Sequence, residues 1–218
     1  MSAPSSPLAA TALDDLLLLG PLVRLQVQVS PLKGGKRPIS WYDPAAITPV
    51  PELHLDSGGV TGFDGDAVKH DVHHRDHPLS RYRGENGVSV GFTAHYEAIR
   101  SQFGDFLHDG IAGENLLVAS DATYTEDAFA GGIVIMTASG PVELTRVEVA
   151  PPCVEFGKFC LRYPRDRKAD AAVAEAVKFL HQGVRGFYAT WKAEGNGPSP
   201  RIAVGDPVYR RPGASSPE

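Results

Sequence analysis

Hydrophobic and polar residues alternate over residues 22–29, with Val23, Leu25, Val27 and Val29 on one side and Arg24, Gln26 and Gln28 on the other. That period of two predicts a half-buried β-strand, stopped by Pro31 and followed by a turn at Lys33-Gly34-Gly35-Lys36. Shorter apolar runs predict strands over 87–91, 115–118, 133–137, 142–149 and 202–209. Within 142–149 the apolar phase slips between Leu144 and Val147, so the segment carries a bulge or is covered on both faces. Two stretches follow a helical period instead. One starts at Thr93, a suitable N-cap, with Tyr96, Ile99 and Phe103 on one face before Gly104. The other runs over 170–182, with Val173, Val177 and Leu180 on one face and Gly183 positioned as a left-handed C-cap. Many short strands and few helices predict a mainly β fold, a barrel or mixed sheet rather than alternating βαβ units.

Composition narrows the class. The 218 residues make one domain or two small ones at roughly 100–200 residues each. With no internal repeat and no linker-like shift, one domain is expected, its core over about 22–209. The ends at 1–10 and 211–218, rich in Ser, Pro and Ala, are expected to fray. Two cysteines cannot form the framework of a small secreted scaffold, and a net charge of −5 argues against a general nucleic-acid binder. Asp14 and Asp15 interrupt the only early apolar stretch, and four leucines at 16–19 do not span a bilayer. A soluble cytoplasmic protein acting on a small molecule, with no nucleic-acid or membrane partner, is expected.

Four segments carry candidate chemistry. Cys153 follows Ala150-Pro151-Pro152, and two prolines fix the backbone that presents its thiol. A thiol there suits a nucleophile, a sulfur carrier or a soft metal ligand, while a small buried hydrophobe is the ordinary alternative. Cys160 lies in an apolar stretch and reads as core, with a bridge to Cys153 as the other choice. In Asp71-Val72-His73-His74-Arg75-Asp76-His77, imidazoles and carboxylates could hold zinc or iron through His73, His74 and His77, with His70 nearby. Pro78 argues against the helix that would align His73 with His77, leaving a polar loop as the alternative. Gly113-Glu114-Asn115 is a ligand-contacting turn or a structural one. Arg185, between two glycines, either meets an anion or caps the preceding helix. P-loop, nucleophile-elbow and zincin motifs are missing from the sequence.

The order of these pieces resembles the MOSC domain, the module at the C-terminus of molybdenum cofactor sulfurases that also occurs alone. The resemblance covers most of the chain. It rests on Gly59-Val60-Thr61-Gly62 through Gly65-Asp66, VSVGFTAHYEAIRSQF over 88–103, and DGIAGENLLV over 109–118. Pro152-Cys153, GVRGFY over 183–188 and IAVGDPV over 202–208 complete it. It implies a closed, distorted β-barrel with peripheral α-helices. It also implies that Cys153 carries sulfur or binds molybdenum, in sulfur transfer or in reduction of N-hydroxylated compounds. The implied cofactor is the molybdenum cofactor (molybdopterin), met by Arg185, Arg75 and Gly113, Glu114 and Asn115, with separate electron-transfer proteins as partners. No pyridoxal-phosphate domain fits in this chain. The family often has an Arg three residues before the cysteine, and this chain has Ala150. Arg185, Arg75 or Lys158 are the candidate replacements. Two other functions stay open: a metallo-enzyme on the His cluster, and a non-catalytic binding module on the same barrel.

Overall fold

The computed structural model describes residues 15–81, 87–191 and 199–213. The loose ends expected at 1–10, and most of 211–218, lie outside the described residues. A long first strand, β1 (Leu17–Gln28), is followed by a hairpin of β2 (Lys33–Lys36) and β3 (Ile39–Tyr42), then by β4 (Ile47–Pro49). A small sheet uses β5 (Glu52–Asp56), β6 (Gly59–Asp64) and β7 (Ala67–His70). Next come β8 (Val88–Phe92), α1 (Thr93–Phe103), β9 (Leu116–Val118), β10 (Ile133–Thr137) and β11 (Gly140–Val149). Two helices, α2 (Val154–Cys160) and α3 (Ala171–His181), precede β12 (Phe187–Trp191), β13 (Arg201–Ala203) and β14 (Pro207–Arg210).

Seven strands close on themselves in the order β1, β14, β10, β11, β12, β8, β9 and back to β1. Every pairing is antiparallel except β8 with β9, whose parallel connection passes through α1. The expected mainly β, closed and distorted barrel with peripheral helices is therefore what the chain builds. The small sheet, ordered β13-β5-β6-β7, and the β2–β3 hairpin are additions to the barrel. No helix among the described residues is long and apolar enough to cross a membrane.

The distortions have local causes. Strand β1 serves three partners, β14, β9 and β4, by bending, and its register shifts between Leu18 and Gly20 and again between Leu22 and Arg24. Gly20, at φ +143°, brings its backbone against the Ala119 carbonyl, where a Cβ would collide. The second shift breaks the predicted alternation. Leu22, Leu25 and Val27 face the barrel interior, whereas Val23 and Val29 are exposed. The phase slip in β11 is a bulge, with the register shifted between Thr145 and Glu148 and Arg146 at φ +50°. The strand predicted over 202–209 is two, β13 and β14, separated by a turn at Gly205. Lys33–Lys36, read as a turn, is itself a strand paired with β3.

Helix ends follow side-chain chemistry. Asp170 caps α3 by accepting from the N–H groups of Ala172 and Val173 at 3.1 and 3.3 Å. Thr93 does not cap α1. Its hydroxyl instead exchanges hydrogen bonds with the backbone of Ser120, tying α1 to the end of β9.

The barrel interior holds Leu25, Val90, Phe92, Ile135, Leu144 and Phe187 among others. A second apolar cluster lies between the barrel wall and the helices and includes Tyr42, Tyr96, Ile99, Phe156, Cys160 and Leu180. Polar groups buried between these cores are joined through Asn115. Its Oδ1 accepts from Ser89 N and Oγ, and its Nδ2 donates to Gln26 O and Asp71 Oδ2. Asp71 also accepts from Gln28 N at 2.8 Å and from His73 N at 2.9 Å. Burial alone would push the Asp71 carboxyl up, but hydrogen bonds from His73 and Gln28 outweigh it and hold it below the usual carboxylate range.

Replacing Asp71 with Ala leaves several buried donors unmet, so unfolding free energy in urea should fall by about 3 kcal/mol at neutral pH. A group with a depressed folded value stabilises above its unfolded value, near ~4, and loses that stabilisation as pH falls through the folded value. The gap between wild type and Asp71→Ala should therefore narrow in acid. A variant as stable as wild type at neutral pH contradicts this role.

Candidate functional site

The segment after β11 sets the site. Ala150 is fully buried, and its N–H donates to Gly186 O at 2.9 Å, which draws Pro151-Pro152-Cys153 alongside the residue before Gly186, Arg185. The prolines carry the chain out of the strand, and Cys153 becomes the first residue of the turn that opens α2. Its Sγ accepts from Phe156 N at 3.4 Å. The half-buried thiol edges the cluster containing Tyr42 and Phe156. Ala150 leaves no positive group three residues before the cysteine, but the adjoining segment before Gly186 provides Arg185.

Burial raises the Cys153 thiol above its ordinary value, opposed by Lys33, by the Phe156 N–H and by Arg185, with Glu155 acting the other way. Lys33, exposed on β2, is a cation in the segment expected to form a turn. The hairpin holds it opposite Tyr42 and is docked on α2 through Ser40, whose hydroxyl donates to Glu155 Oε1 at 2.6 Å. Cys160, seven residues on, lies in the apolar cluster as expected, its thiol pushed up to about 12 chiefly by burial. Both cysteines are free, so the bridge considered between them does not form.

Arg185 reaches inward. Its Nη2 donates to Ala112 O at 2.9 Å, while its Nη1 is buried without a partner among the described residues. Glu114, 1% exposed, interacts electrostatically with it. Burial pushes the Glu114 carboxyl up, an effect that Arg185 and the Tyr96 hydroxyl only partly offset. Glu114 Oε2 likewise has no partner among the described residues. Unmet buried polar atoms cost about 1–3 kcal/mol each, and Arg185, which carries one of these two, also acts on the Cys153 thiol. Gly91 on β8 makes room for this carboxylate, since a Cβ there would strike Glu114 Oε1. Tyr42 and Tyr96 line the same region, and the sequence reading had assigned Tyr96 only to a helix core.

Other expected ligand contacts are used internally. Ala112 N donates to Tyr96 Oη at 3.0 Å, Gly113 N to Gly110 O at 3.0 Å, and Asn115 N to Ser89 Oγ at 3.0 Å. Glu114 N turns to its own carboxylate. Gly113, at φ +88°, has its carbonyl bonded to Gln28 Nε2 at 2.6 Å. Asn115 is thus held as a structural turn, and Glu114 is the member of the segment with an unpaired side-chain atom among the described residues. Arg75 is exposed and bonded to Asp76 Oδ1 at 3.2 Å. Lys158, the other replacement considered, is buried with Nζ on Ser40 O at 2.8 Å. It lines a depression of about 320 Å³ with Trp41, Tyr42 and Arg165.

The imidazoles diverge. His73 Nδ1 pairs with Asp71 at 2.8 Å. His74 accepts from Asp76 N on Nδ1 and bonds Asp56 through Nε2 at 3.1 Å. His77 accepts from Leu79 N on Nδ1 and reaches Val29 O through Nε2. His70 stacks on His74 at 4.3 Å and bonds Thr61. With their ring nitrogens committed, His74 and His77 lack a free lone pair for a metal. No group of three or more His, Cys, Asp or Glu side chains among the described residues is arranged to hold one.

No protein-family model matches the chain, and a search of curated proteins found no match. Solved structures do match in fold. The YuaD protein from Bacillus subtilis aligns with TM-score 0.53 at 15% identity, covering 89% of this chain and 97% of that one. A hypothetical protein aligns with TM-score 0.51 at 11% identity over 89% of this chain and 69% of its own. YiiM from Geobacillus stearothermophilus gives TM-score 0.49 at 15% identity over 87% and 74% of the two chains. At such identities the first two establish a shared fold.

The different burial of the two thiols is open to test. Iodoacetamide on the native protein at pH 8 should alkylate Cys153 about tenfold or more faster than Cys160, with the rates converging in urea. Equal native rates contradict the geometry.

Proposed function

We propose that the chain is a MOSC-family protein in which Cys153 binds molybdenum of the molybdenum cofactor. The observation that carries this reading is the grouping of a half-buried thiol with Lys33, Arg185 and a buried, incompletely paired Glu114. The shared barrel and the ordered motifs agree with it.

The donor set fits the cofactor. A thiolate is a soft ligand suited to a transition metal. The thiol's raised value means that metal coordination, which releases the proton, favours the thiolate that the protein alone disfavours. A cofactor phosphate would meet Lys33, since the backbone N–H groups over 112–115 are already bonded. Arg185 and Glu114 would contact the organic part, and Tyr42 and Phe156 would keep water from the sulfur. When bound, the cofactor supplies two-electron redox chemistry, and the protein supplies position and electrostatics.

Half-burial favours a fixed ligand over a persulfide shuttle, which must expose its sulfur to a donor protein. The reading is accordingly a reductase of N-hydroxylated small molecules, supplied with electrons by separate proteins. Protein made in a cofactor-competent host should contain molybdenum and pterin in near-equal amounts, with most of the molybdenum lost in Cys153→Ala. Wild-type protein without either, or metal content unchanged in Cys153→Ala, overturns the proposal.

A further inference from the structure

Lys158 on α2 is a buried cation whose partners carry no charge. It is 3% exposed, and its Nζ donates to Ser40 O at 2.8 Å and to Arg165 O at 3.4 Å. Among the described residues it forms no ion pair. A buried charge is ordinarily matched by an opposite one, because carbonyl dipoles replace only part of its hydration. An ammonium also has three N–H donors, and two carbonyls leave one unused.

The same lysine lines the depression of about 320 Å³ between α2, β3 and the segment after α2. Sites for small ligands run from roughly 300 to 1,000 Å³. Trp41, Phe159 and Tyr163 supply its aromatic surface. Tyr163 is held in place: its N–H donates to Lys158 O, its hydroxyl donates to Asp170 at 2.9 Å, and Arg167 lies over its ring. The remaining charges are already matched. Arg165 lies 5.1 Å from the Trp41 ring centre and pairs with Asp43 at 3.0 Å, so the cation position on that ring is filled. Glu155 Oε1 accepts from the Ser40 hydroxyl at 2.6 Å. A cationic ligand would face Lys158 and Arg165, and a phosphate dianion would face Asp43 and Glu155.

We propose that this depression binds a small aromatic monocarboxylate, its carboxylate paired with Lys158 and its ring packed among Trp41, Phe159 and Tyr163. The site is separate from the one assigned to the cofactor, since Cys153, Glu114 and Arg185 do not line it.

NMR titration of the isotope-labelled full chain at neutral pH tests this with three probes. Benzoate carries the ring and the charge, benzamide keeps the shape without the charge, and inorganic phosphate is the anion without a ring. Benzoate should shift the indole N–H of Trp41 saturably and leave that of Trp191, on β12, unmoved. It should bind about tenfold or more tightly than benzamide, because a hydrogen bond between charged groups is about twice as strong as a neutral one. Phosphate should bind more weakly than benzoate. Lys158→Met keeps an unbranched chain and removes the charge, so benzoate should fall to the affinity of benzamide. No saturable shift at Trp41, equal affinity for benzamide, or tighter binding of phosphate overturns the inference. Those three comparisons are made on the wild type and need no variant to fold.

Discussion

The structure depends on one buried side chain, Asn115. Its amide joins Ser89 on β8, Gln26 on β1 and Asp71 in the loop after β7, while its own backbone bonds Ser89 and Gln26. These bonds lie where β8 and β9 run parallel, the one parallel pairing in the barrel. In a buried setting a fully satisfied polar network specifies one arrangement, whereas a half-satisfied one is costly. The four donor and acceptor positions of Asn115 are therefore spent on register. Glu114, the preceding residue, is the product of that placement: its carboxylate is held against Gly91 and within reach of Arg185.

The site is thus assembled from segments distant in the chain by interactions that are individually ordinary. Ala150 pairs with Gly186, bringing the cysteine turn beside Arg185. The β2–β3 hairpin leans on α2 through Ser40 and Glu155, adding Lys33. A cation missing from the local sequence before Cys153 is replaced by two contributed through the fold. Opposing them, burial keeps the free thiol protonated more readily than an exposed one.

What the sequence disclosed follows the range of each interaction. Local periodicity located α1, α3 and β10 and the phase slip in β11, because side-chain alternation acts within a few residues. Strand β1 departs from the expected alternation at Leu22 and Val23, while Leu25 and Val27 keep it, since its bulge arises from pairing with β9, a segment about ninety residues away along a chain that loops back. Lys33–Lys36 looked like a turn because glycine is a turn residue, yet those glycines leave room for the Trp41 ring on the paired strand. Of the residues expected from their local settings and motif order, Arg185 acts electrostatically on both Cys153 and Glu114. The His cluster was dense in sequence but scattered in direction. Each imidazole met a nearer partner, in Asp71, Asp56 or the Val29 carbonyl. Lys33 and the tyrosines carried no chemical signal apart from their neighbours in space.

The fold consumes the backbone N–H groups around Glu114 and leaves its Oε2 without a partner among the described residues. Native-state hydrogen exchange followed by NMR measures this directly. Slow exchange is expected at the N–H groups of Ala112, Gly113 and Asn115, close to that of the barrel strands, because buried bonded amides open only with larger unfolding. Fast exchange at those amides in a protein whose β8 and β12 remain protected would contradict it.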